Sequence, residues 1–291
     1  MTEKEEKNSF GERARARFFG DADRLCGAFE AADGTARFGY REWRRSEGGG
    51  GGRAALLLGG EVIEKAAVNF SAVRGCFSEE FASRIPGAGG DGRFFATGVS
   101  VIVHPRSPRL PTMHMNVRFL ETTRWWFGGG ADITPMRPRG EWGSMSSVDY
   151  FRGALRGLCE THDGAGDWER FSEWCDRYFW LSHRGETRGA GGIFFDVMGV
   201  DEGSEVVISS WEGGFGFVCG LVDVFIGCIG EILRGGGEWS EEERAEQLRR
   251  RGRYVEFNLL HDRGTRFGLE TGGDVDAILS SLPPTASWDT N

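Results

Sequence analysis

The stretch that decides the fold runs from Gly98 to Pro135 and reads GVSVIVHPRSPRLPTMHMNVRFLETTRWWFGGGADITP. In its second half, His114, Asn116 and Arg118 alternate with apolar residues. Successive side chains of a β-strand point to opposite faces of the sheet, so these three residues share one face. The pattern predicts a strand over 114–121 with one polar and one apolar side.

The first half of the stretch predicts another strand over 94–104, with Ser100 and His104 on one face and valines on the other. A loop over 105–111 with three prolines joins the two strands and predicts an antiparallel pair. Polar strand faces are commonly solvated. Solvated faces usually carry Lys, Glu, Thr and Ser, however, whereas His, Asn and Arg are residues that handle ligands. The composition therefore favours a ligand-binding sheet face.

Two tryptophans, a phenylalanine and three glycines then lead to Asp132, within a predicted strand over 124–133. Glycine leaves the backbone bare, so a large flat ligand can approach it closely. The ordinary alternative for Asp132, which precedes Ile-Thr-Pro, is a turn-forming aspartate.

Length and composition indicate an ordinary globular protein: 291 residues, of which 39% are hydrophobic and 12% aromatic. The formal net charge of -9 argues against nucleic acid as a partner, because neutralising phosphates needs a basic surface. The most apolar run, 215–233, is broken by glycines and by Asp223, which predicts no transmembrane segment. The charged, acidic N-terminus does not resemble a targeting sequence, so we expect a cytoplasmic location.

The chain shows no internal repeat or linker, which predicts a disordered tail over 1–11 and a single domain over 12–291. Residues 48–52 predict a glycine-rich turn. Hydrophobic periodicity predicts further elements. These are a helix over 11–33, strands over 54–59 and 61–70, helices over 147–160 and 167–182, a strand over 193–197, helices over 203–234 and 240–251, a strand over 253–260 and a short helix over 274–281.

Five motifs together resemble the oxygen-dependent coproporphyrinogen III oxidase family. They are GVSVIVHP, PTMHMNVRF and WWFGGGADITP in the quoted stretch, HRGETRGAGGIFFD from His183 to Asp196, and RGRYVEFNLLHDRGTRFGL from Arg251 to Leu269. They occur in the family's order and extend the likeness over nearly the whole chain. The resemblance implies an α+β fold, in which a large, mostly antiparallel sheet of about seven strands is flanked by helices on both faces, and a homodimer.

The resemblance also implies a reaction. The substrate would be coproporphyrinogen III, a reduced tetrapyrrole with four propionates. Two of these would become vinyl groups, with loss of carbon dioxide and reduction of oxygen to hydrogen peroxide, to give protoporphyrinogen IX in haem biosynthesis. The electron-rich substrate can itself reduce oxygen, so no cofactor would be required. The protein would supply positioning, charge neutralisation and proton transfer.

Site residues follow from the resemblance, position by position. The expected catalytic residues are His114 as the proton donor, and Asp132 and Asp262 near the pyrrole nitrogens. The expected substrate-binding residues are Ser100, Asn116, Val117, Arg118, Arg188, Arg263, Gly272, Gly273 and Asp274. Arginine suits a propionate because its planar guanidinium can hold both carboxylate oxygens. The expected role of Arg188, in a flexible loop, is to clamp a propionate or to close over the site.

Asp262 has two readings. The strand predicted over 253–260 would place Asp262 on the same face as Glu256 and Asn258. Without the resemblance, Asp262 and Arg263 could equally form a surface turn with a weak ion pair.

Two features depart from the family. A divalent-metal site of four histidines is often described for it, and His104, His114 and His183 match three of them, whereas Tyr150 or Arg152 stands at the fourth. This incomplete set argues that no metal is required. In addition, Asp274 replaces the arginine of a Gly-Gly-Arg motif, and an aspartate there would repel a propionate.

Two other functions stay open from the sequence. The departures allow a non-catalytic relative that binds tetrapyrroles. A metal-dependent oxygenase or hydrolase using His104 and His114 is the other possibility. The metal signature is weak, because the two histidines lie on different strands with no acidic third ligand nearby.

Overall fold

The quoted stretch forms the middle of a large β-sheet. The structure, a computed structural model, describes residues 3–45, 48–83, 85–162, 164–270 and 273–288. The ten strands found there are β1 (Gly39–Arg44), β2 (Gly50–Leu58), β3 (Ile63–Cys76), β4 (Arg93–Pro105), β5 (Thr112–Glu121), β6 (Trp125–Thr134), β7 (Trp180–Leu181), β8 (Glu186–Thr187), β9 (Gly192–Gly199) and β10 (Val206–Val207).

Eight of these strands form one sheet in the order β1-β2-β3-β4-β5-β6-β9-β10, one more than the sequence predicted. Neighbouring strands are antiparallel except β9 and β10, which run parallel. The predicted antiparallel pairing of β4 with β5 is confirmed. The two short strands β7 and β8 pair separately.

Helices cover both faces of the sheet, which confirms a single-domain α+β fold. They are α1 (Glu3–Asp33), α2 (Glu79–Ala82), α3 (Ser146–Thr161), α4 (Trp168–Tyr178), α5 (Trp211–Ile232), α6 (Glu241–Leu260), α7 (Arg263–Glu270) and α8 (Val275–Leu279). The predicted boundary between a disordered tail over 1–11 and the domain over 12–291 stays a prediction.

The main hydrophobic core lies between one sheet face and the helices α1, α3 and α5. Val99 and Val101 of β4 and Met115 and Val117 of β5 are fully buried in it. These are the apolar partners of the alternating pattern, and burying apolar area stabilises the fold by about 25 cal/mol per Å². Alternation therefore leaves the polar side chains on the opposite face.

The polar face is covered by α6, α8 and the segment that follows α8. Asn69 of β3 donates hydrogen bonds to the Ala277 carbonyl oxygen at 3.1 Å and to the Ser280 hydroxyl at 3.0 Å. Lys65 donates to the Leu282 carbonyl oxygen at 2.6 Å. These contacts enclose polar side chains between the sheet and its helices, so the polar face is not simply a solvated surface.

The prediction of a strand over 253–260 is wrong, because α6 continues without interruption to Leu260. Its buried residues Arg251, Tyr254 and Phe257 recur every three positions, which is a helical spacing. Aromatic and β-branched residues obscured that spacing, since they favour strands. The residue at position 252, inside the helix, has to be a glycine, because a Cβ there would come within 2.7 Å of the Ser287 carbonyl oxygen.

Some other boundaries also differ from the predictions. β2 begins at Gly50, inside the predicted turn, and a Cβ at Gly51 or Gly52 would lie 2.2 Å from a carbonyl oxygen of a neighbouring strand. The helix predicted over 203–234 begins only at Trp211, where the Ser210 hydroxyl accepts a hydrogen bond from the Gly213 N–H.

Helix α5 is long and apolar enough to cross a membrane by length and composition, although its glycines and Asp223 predicted no such segment. Half of its apolar window is buried inside the protein. Phe217, Leu221 and Phe225 pack in the main core. A buried core helix meets the same criteria, and the packing of α5 is of that kind.

Candidate active site

The register of β4, β5 and β6 brings the predicted polar side chains together. Ser100 is paired with Asn116, and Gly98 is paired with Arg118. Gly128 continues the second row on β6. Arg118 therefore lies between two glycines, which leave the backbone bare on both sides of it. We call this part of the polar face, on β4, β5, β6 and β9, the floor of the site.

His114 of β5 lies opposite Asp132 of β6, and its Nδ1 is 2.8 Å from Asp132 Oδ1. An ionised carboxylate only accepts hydrogen bonds, so Nδ1 carries the proton and donates it to this bond. The imidazole is fixed in orientation, and Nε2 is the nitrogen that can exchange a proton with a ligand. His114 keeps some exposure, with 16% of its side chain accessible.

Asp132 is held ionised although it is buried. Burial by itself raises the pKa of this carboxyl, but the Arg188 guanidinium and the hydrogen bond from His114 lower it further than burial raises it. The net pKa therefore lies below the usual range. Arg188 Nη2 pairs with Asp132 Oδ2, so the two carboxylate oxygens bind different partners. A hydrogen bond and an ion pair therefore link His114, Asp132 and Arg188 in series.

The surroundings of Arg188 differ from the flexible loop that the sequence predicted. Its side chain is 1% exposed, and its guanidinium carbon lies 3.8 Å from the Phe179 ring centroid, 4.7 Å from that of Tyr254 and 4.8 Å from that of Phe257. Glycine-rich sequence indicated a flexible loop, but these ring contacts and the ion pair with Asp132 fix the side chain. Its position suits a residue that orients Asp132, and direct substrate binding by Arg188 stays a prediction.

The Arg118 side chain extends across β6 towards β9, because Gly128 leaves room for it. Its Nη2 is 2.8 Å from Asp196 Oδ1 on β9, and its Nη1 donates to Asn116 Oδ1 at 3.3 Å. A Cβ at Gly128 would lie 2.7 Å from Arg118 Nε, so only glycine leaves room for this side chain. Although burial lowers the pKa of Arg118, the Asp196 carboxylate raises it above the ordinary value. The guanidinium remains a cation.

Asp262 lies at the start of α7 and not on a strand. Its carboxylate accepts hydrogen bonds from the Thr265 N–H at 2.7 Å and hydroxyl at 2.8 Å, which caps the helix. It also accepts a hydrogen bond from the Tyr178 hydroxyl at 2.9 Å. Burial raises the pKa of Tyr178, and the negative charge of Asp262 raises it further, so the phenol stays protonated. The Tyr178 ring stacks on Phe194, which is paired with Gly130 at the floor.

Of the other predicted substrate-binding residues, Arg263 lies beside Tyr178, whereas Val117 and Gly273 lie away from the polar side chains described above. Arg263 is exposed, and its guanidinium carbon is 5.3 Å from the Tyr178 ring centroid. Val117 points into the main core, on the side opposite Asn116 and Arg118. Gly273 ends α7 through a hydrogen bond to the Gly268 carbonyl oxygen, and Gly272 lies outside the described residues.

Asp274 does not point into the polar face. Its carboxylate caps α8 by accepting from the Ala277 N–H at 2.8 Å and forms an ion pair with Arg41 of β1, with Nη1 2.9 Å from Oδ2. The Arg41 hydrogen bond lowers the pKa of Asp274 below its usual range. The expected repulsion of a propionate by Asp274 is therefore offset by a cation that this chain supplies.

The three candidate metal-binding histidines are committed to separate partners. His104 Nε2 bonds the Ser281 carbonyl oxygen at 3.0 Å, and His183 Nε2 lies 2.8 Å from Glu256 Oε2. Burial lowers the pKa of His104 to about 3, which keeps it neutral. Within the described ranges, no group of three or more His, Cys, Asp or Glu side chains could hold a metal ion. These residues do not fit a shared metal.

Arg152, which stands where a fourth histidine was expected, has a structural contact instead. Its Nη1 donates to the Ala190 carbonyl oxygen at 2.7 Å and so anchors the segment that follows Arg188. The other position considered, Tyr150, is exposed. Arg152 thus supports the geometry of the Asp132 and Arg188 pair from α3.

Two site residues were not predicted from the sequence, Asp196 and Tyr178. Asp196 ends the HRGETRGAGGIFFD motif, and simple alternation with Phe194 would have placed it on the polar face. Tyr178 lies in an aromatic stripe of α4, which predicts core packing and gave no separate sign of a hydroxyl aimed at Asp262. The whole arrangement offers a cation for a carboxylate ligand, an oriented imidazole for proton transfer and a bare floor for a flat molecule.

A protein with this fold and site is equipped to bind a flat polycarboxylate and move protons on it. The chain belongs to the coproporphyrinogen III oxidase family, whose model matches residues 14–291. A protein of Rickettsia bellii (strain OSU 85-389), named oxygen-dependent coproporphyrinogen-III oxidase, is 45% identical over 231 residues, which cover 79% of this chain and 78% of that protein. The protein of the same name from Rickettsia akari (strain Hartford) is 42% identical over 278 residues, covering 92% of this chain and 94% of its own.

Proposed function

We propose that this chain converts two propionates of coproporphyrinogen III to vinyl groups, giving protoporphyrinogen IX, on the polar face of its sheet. The observation that carries the proposal is the juxtaposition of the oriented His114 with Arg118 on a floor of glycines. Membership of the family and the names of its relatives support the same reaction.

The chemistry balances without an added electron carrier. Each propionate, R–CH2–CH2–COO⁻, loses carbon dioxide, one proton and two electrons and becomes R–CH=CH2. Molecular oxygen takes the two electrons and two protons to become hydrogen peroxide. One proton comes from the substrate and the other from solvent, so an oriented general acid and base near the reacting carbon is the help that the protein can give.

Different side chains bind the substrate and transfer the proton. Arg118 binds a substrate propionate through the guanidinium edge that does not contact Asp196. Nε2 of His114 exchanges the proton, while Asp132, held by Arg188, keeps Nδ1 protonated. Asp262 and the Tyr178 hydroxyl lie near Phe194 at the floor, where a carboxylate can accept pyrrole N–H bonds. Ser100 and Asn116 supply neutral hydrogen-bonding groups beside Arg118.

The reaction requires no metal or organic cofactor in this proposal. The separate partners of His104, His114 and His183 support it. A non-catalytic tetrapyrrole-binding role is the second candidate, but an imidazole oriented by a buried ion pair serves proton transfer better than binding alone.

Purified protein incubated with coproporphyrinogen III in air tests the proposal. We expect protoporphyrin fluorescence after oxidation of the product, no product under strict anaerobiosis, and unchanged turnover after exhaustive chelation with EDTA. Binding of the substrate without turnover in air would favour the non-catalytic candidate. Turnover that EDTA removes and one added metal ion restores would overturn the cofactor-free mechanism.

Two further parts of the proposal concern the whole protein, a cytoplasmic location and a homodimer. Leu259, Leu260, Leu269 and Val275 are large apolar side chains exposed between the end of α6 and the start of α8. Exposed apolar residues that form a continuous patch are typical of an interface between subunits. We place the contact between the two copies on this α6–α8 surface.

A further inference from the structure

Asp196 is a carboxylate on the floor of the site that none of the roles above uses. It comes from β9, two strands from Arg118, and only 18% of its side chain is accessible. Its Oδ1 lies 2.8 Å from Arg118 Nη2, across the position where a Cβ on Gly128 would come within 2.6 Å of that same oxygen. The pair therefore spans β6 because β6 has no side chain there.

The backbone around Asp196 departs from a regular strand in a way that aims the carboxylate. Phe195 is paired with Gly129 and Met198 with Phe127, so two residues of β9 lie opposite Gly128 alone, which is a β-bulge. Val197, the second of them, has φ +46°, a left-handed conformation that a β-branched residue rarely adopts. Its N–H donates to Asp196 Oδ1 at 2.9 Å. Unfavourable backbone geometry of this kind persists where the surrounding structure holds it, often at functional sites.

We infer that Asp196 is a positioning residue for the reaction: it holds one edge of the Arg118 guanidinium so that the other edge meets the substrate propionate. The inference rests on the proposed function. A flexible arginine would lose conformational freedom on binding, and fixing it beforehand removes that cost. Asn116 contacts Nη1, so Asp196 and Asn116 together define the plane of the guanidinium.

A double-mutant cycle separates positioning from a merely structural role, because a residue that acts through Arg118 has little to lose once Arg118 is gone. Asp196→Asn keeps the size of the side chain and an acceptor for the Val197 N–H, so we expect it to fold. We expect kcat/KM for coproporphyrinogen III to fall about tenfold, mainly through KM, and to change less than twofold in an Arg118→Ala background. Asp196→Glu keeps the charge and should lose less.

Asp201→Asn is the matched control. Asp201 also pairs with an arginine, Arg124, with Nε 2.7 Å from Oδ2, but it lies beyond the end of β9, and 45% of its side chain is accessible. Its kcat/KM should stay within twofold of the parent.

Three results would overturn the inference while the parent enzyme remains active. They are an Asp196→Asn variant within twofold of the parent, equal losses in both backgrounds, and a rise in kcat/KM, which would mean that Asp196 competes with the substrate for Arg118. An inactive parent would instead refute the proposed function itself.

Discussion

At the scale of single residues, the buried pair of Asp132 and Arg188 sets the orientation of His114. Both side chains are almost inaccessible to solvent, and removing one partner of such a pair leaves a buried charge without compensation. Asp132→Asn should therefore lower the free energy of unfolding by roughly 3 kcal/mol, as well as abolish most turnover. Urea denaturation at neutral pH measures the loss.

The control for this variant is Arg156→Gln, which removes surface ion pairs with Glu160 of α3 and Glu169 of α4. Exposed pairs of that kind contribute roughly 0–1 kcal/mol, so it should hardly change stability. An Asp132→Asn protein as stable as the Arg156→Gln protein would show that the pair with Arg188 does not matter for the fold.

The sequence predicts those parts of the site that depend on residues close together in the chain, but not those that depend on contacts between distant elements. Alternation within one strand placed His114, Asn116 and Arg118 on one face, because that rule is local. The burial of Arg188 depends on three rings from other elements. Alternation with Phe194 would place Asp196 on the same face, but its contact with Arg118 depends on a bulge opposite a glycine. Neither contact leaves a periodic trace in the sequence.

At the scale of elements, Glu64 at the start of β3 fastens α6 to the sheet. Its carboxylate pairs with Arg244, with Nη2 2.8 Å from Oε1, and with Arg251, with Nη2 2.7 Å from Oε2. Burial alone raises the pKa of Glu64, but the two guanidinium groups lower it to about 2. A carboxyl whose folded pKa is depressed stabilises the fold above its unfolded pKa, and this contribution is lost as pH falls towards the folded value.

Glu64→Gln should therefore destabilise the protein at pH 7 and much less at pH 3. The loss at pH 7 should be roughly 3 kcal/mol, at about 1.4 kcal/mol per pKa unit. Urea denaturation of parent and variant at both pH values measures it. A difference in unfolding free energy that is the same at pH 3 and pH 7 would mean that the charge of Glu64 does not hold α6.

Substitutions of Asp262 test two roles, because its carboxylate both caps α7 and supplies a negative charge at the site. Asparagine is as good an N-cap as aspartate, whereas alanine costs about 1 kcal/mol. Asp262→Asn should keep stability and Asp262→Ala should lose about that amount, while both should lower kcat at least tenfold because the charge is gone. Thermal denaturation and steady-state kinetics separate the two effects. An Asp262→Asn enzyme with the parent's kcat would leave Asp262 only its capping role.

Element prediction from the sequence failed most clearly at α6. Its second half contains Tyr254, Val255 and Phe257, whose local preference is for a strand, and the predicted helix ended at residue 251. The fold overrides that preference because the helix turns three side chains towards the sheet. Arg251 pairs with Glu64 of β3, Tyr254 packs with Ile102 of β4, and Phe257 packs with Phe194 of β9. Tertiary burial of this kind outweighs propensities, which differ by only about 1 kcal/mol per residue.

At the scale of the whole molecule, the proposed dimer has a direct test. The chain has a mass of 32.1 kDa, so light scattering after size exclusion should give the mass of two chains. Leu260→Glu places a charge on the α6–α8 surface and should give monomers. Leu58→Glu, at an equally exposed leucine of β2, should leave the dimer intact. Two chains in both variants would place the dimer contact elsewhere.

We propose that coproporphyrinogen III binds and reacts on the polar sheet face, with Arg118 at its middle. Losing one partner of a buried charge pair costs roughly 2–5 kcal/mol, and tenfold in rate corresponds to about 1.4 kcal/mol. Arg118→Ala should therefore lower kcat/KM at least about 30-fold, and Arg118→Lys should recover only part, because an ammonium cannot bind both carboxylate oxygens in a plane.

The most direct measurement is kcat/KM for aerobic coproporphyrinogen III turnover by the parent and by the Arg118→Ala, Arg118→Lys and Arg124→Ala variants. Arg124 is the control, since it follows the same strand but pairs outside the site with Asp201. We predict the large loss for Arg118→Ala, a partial loss for Arg118→Lys and parent-like turnover for Arg124→Ala. An Arg118→Ala enzyme within about threefold of the parent would contradict the account, because the polar face would then not be the substrate site.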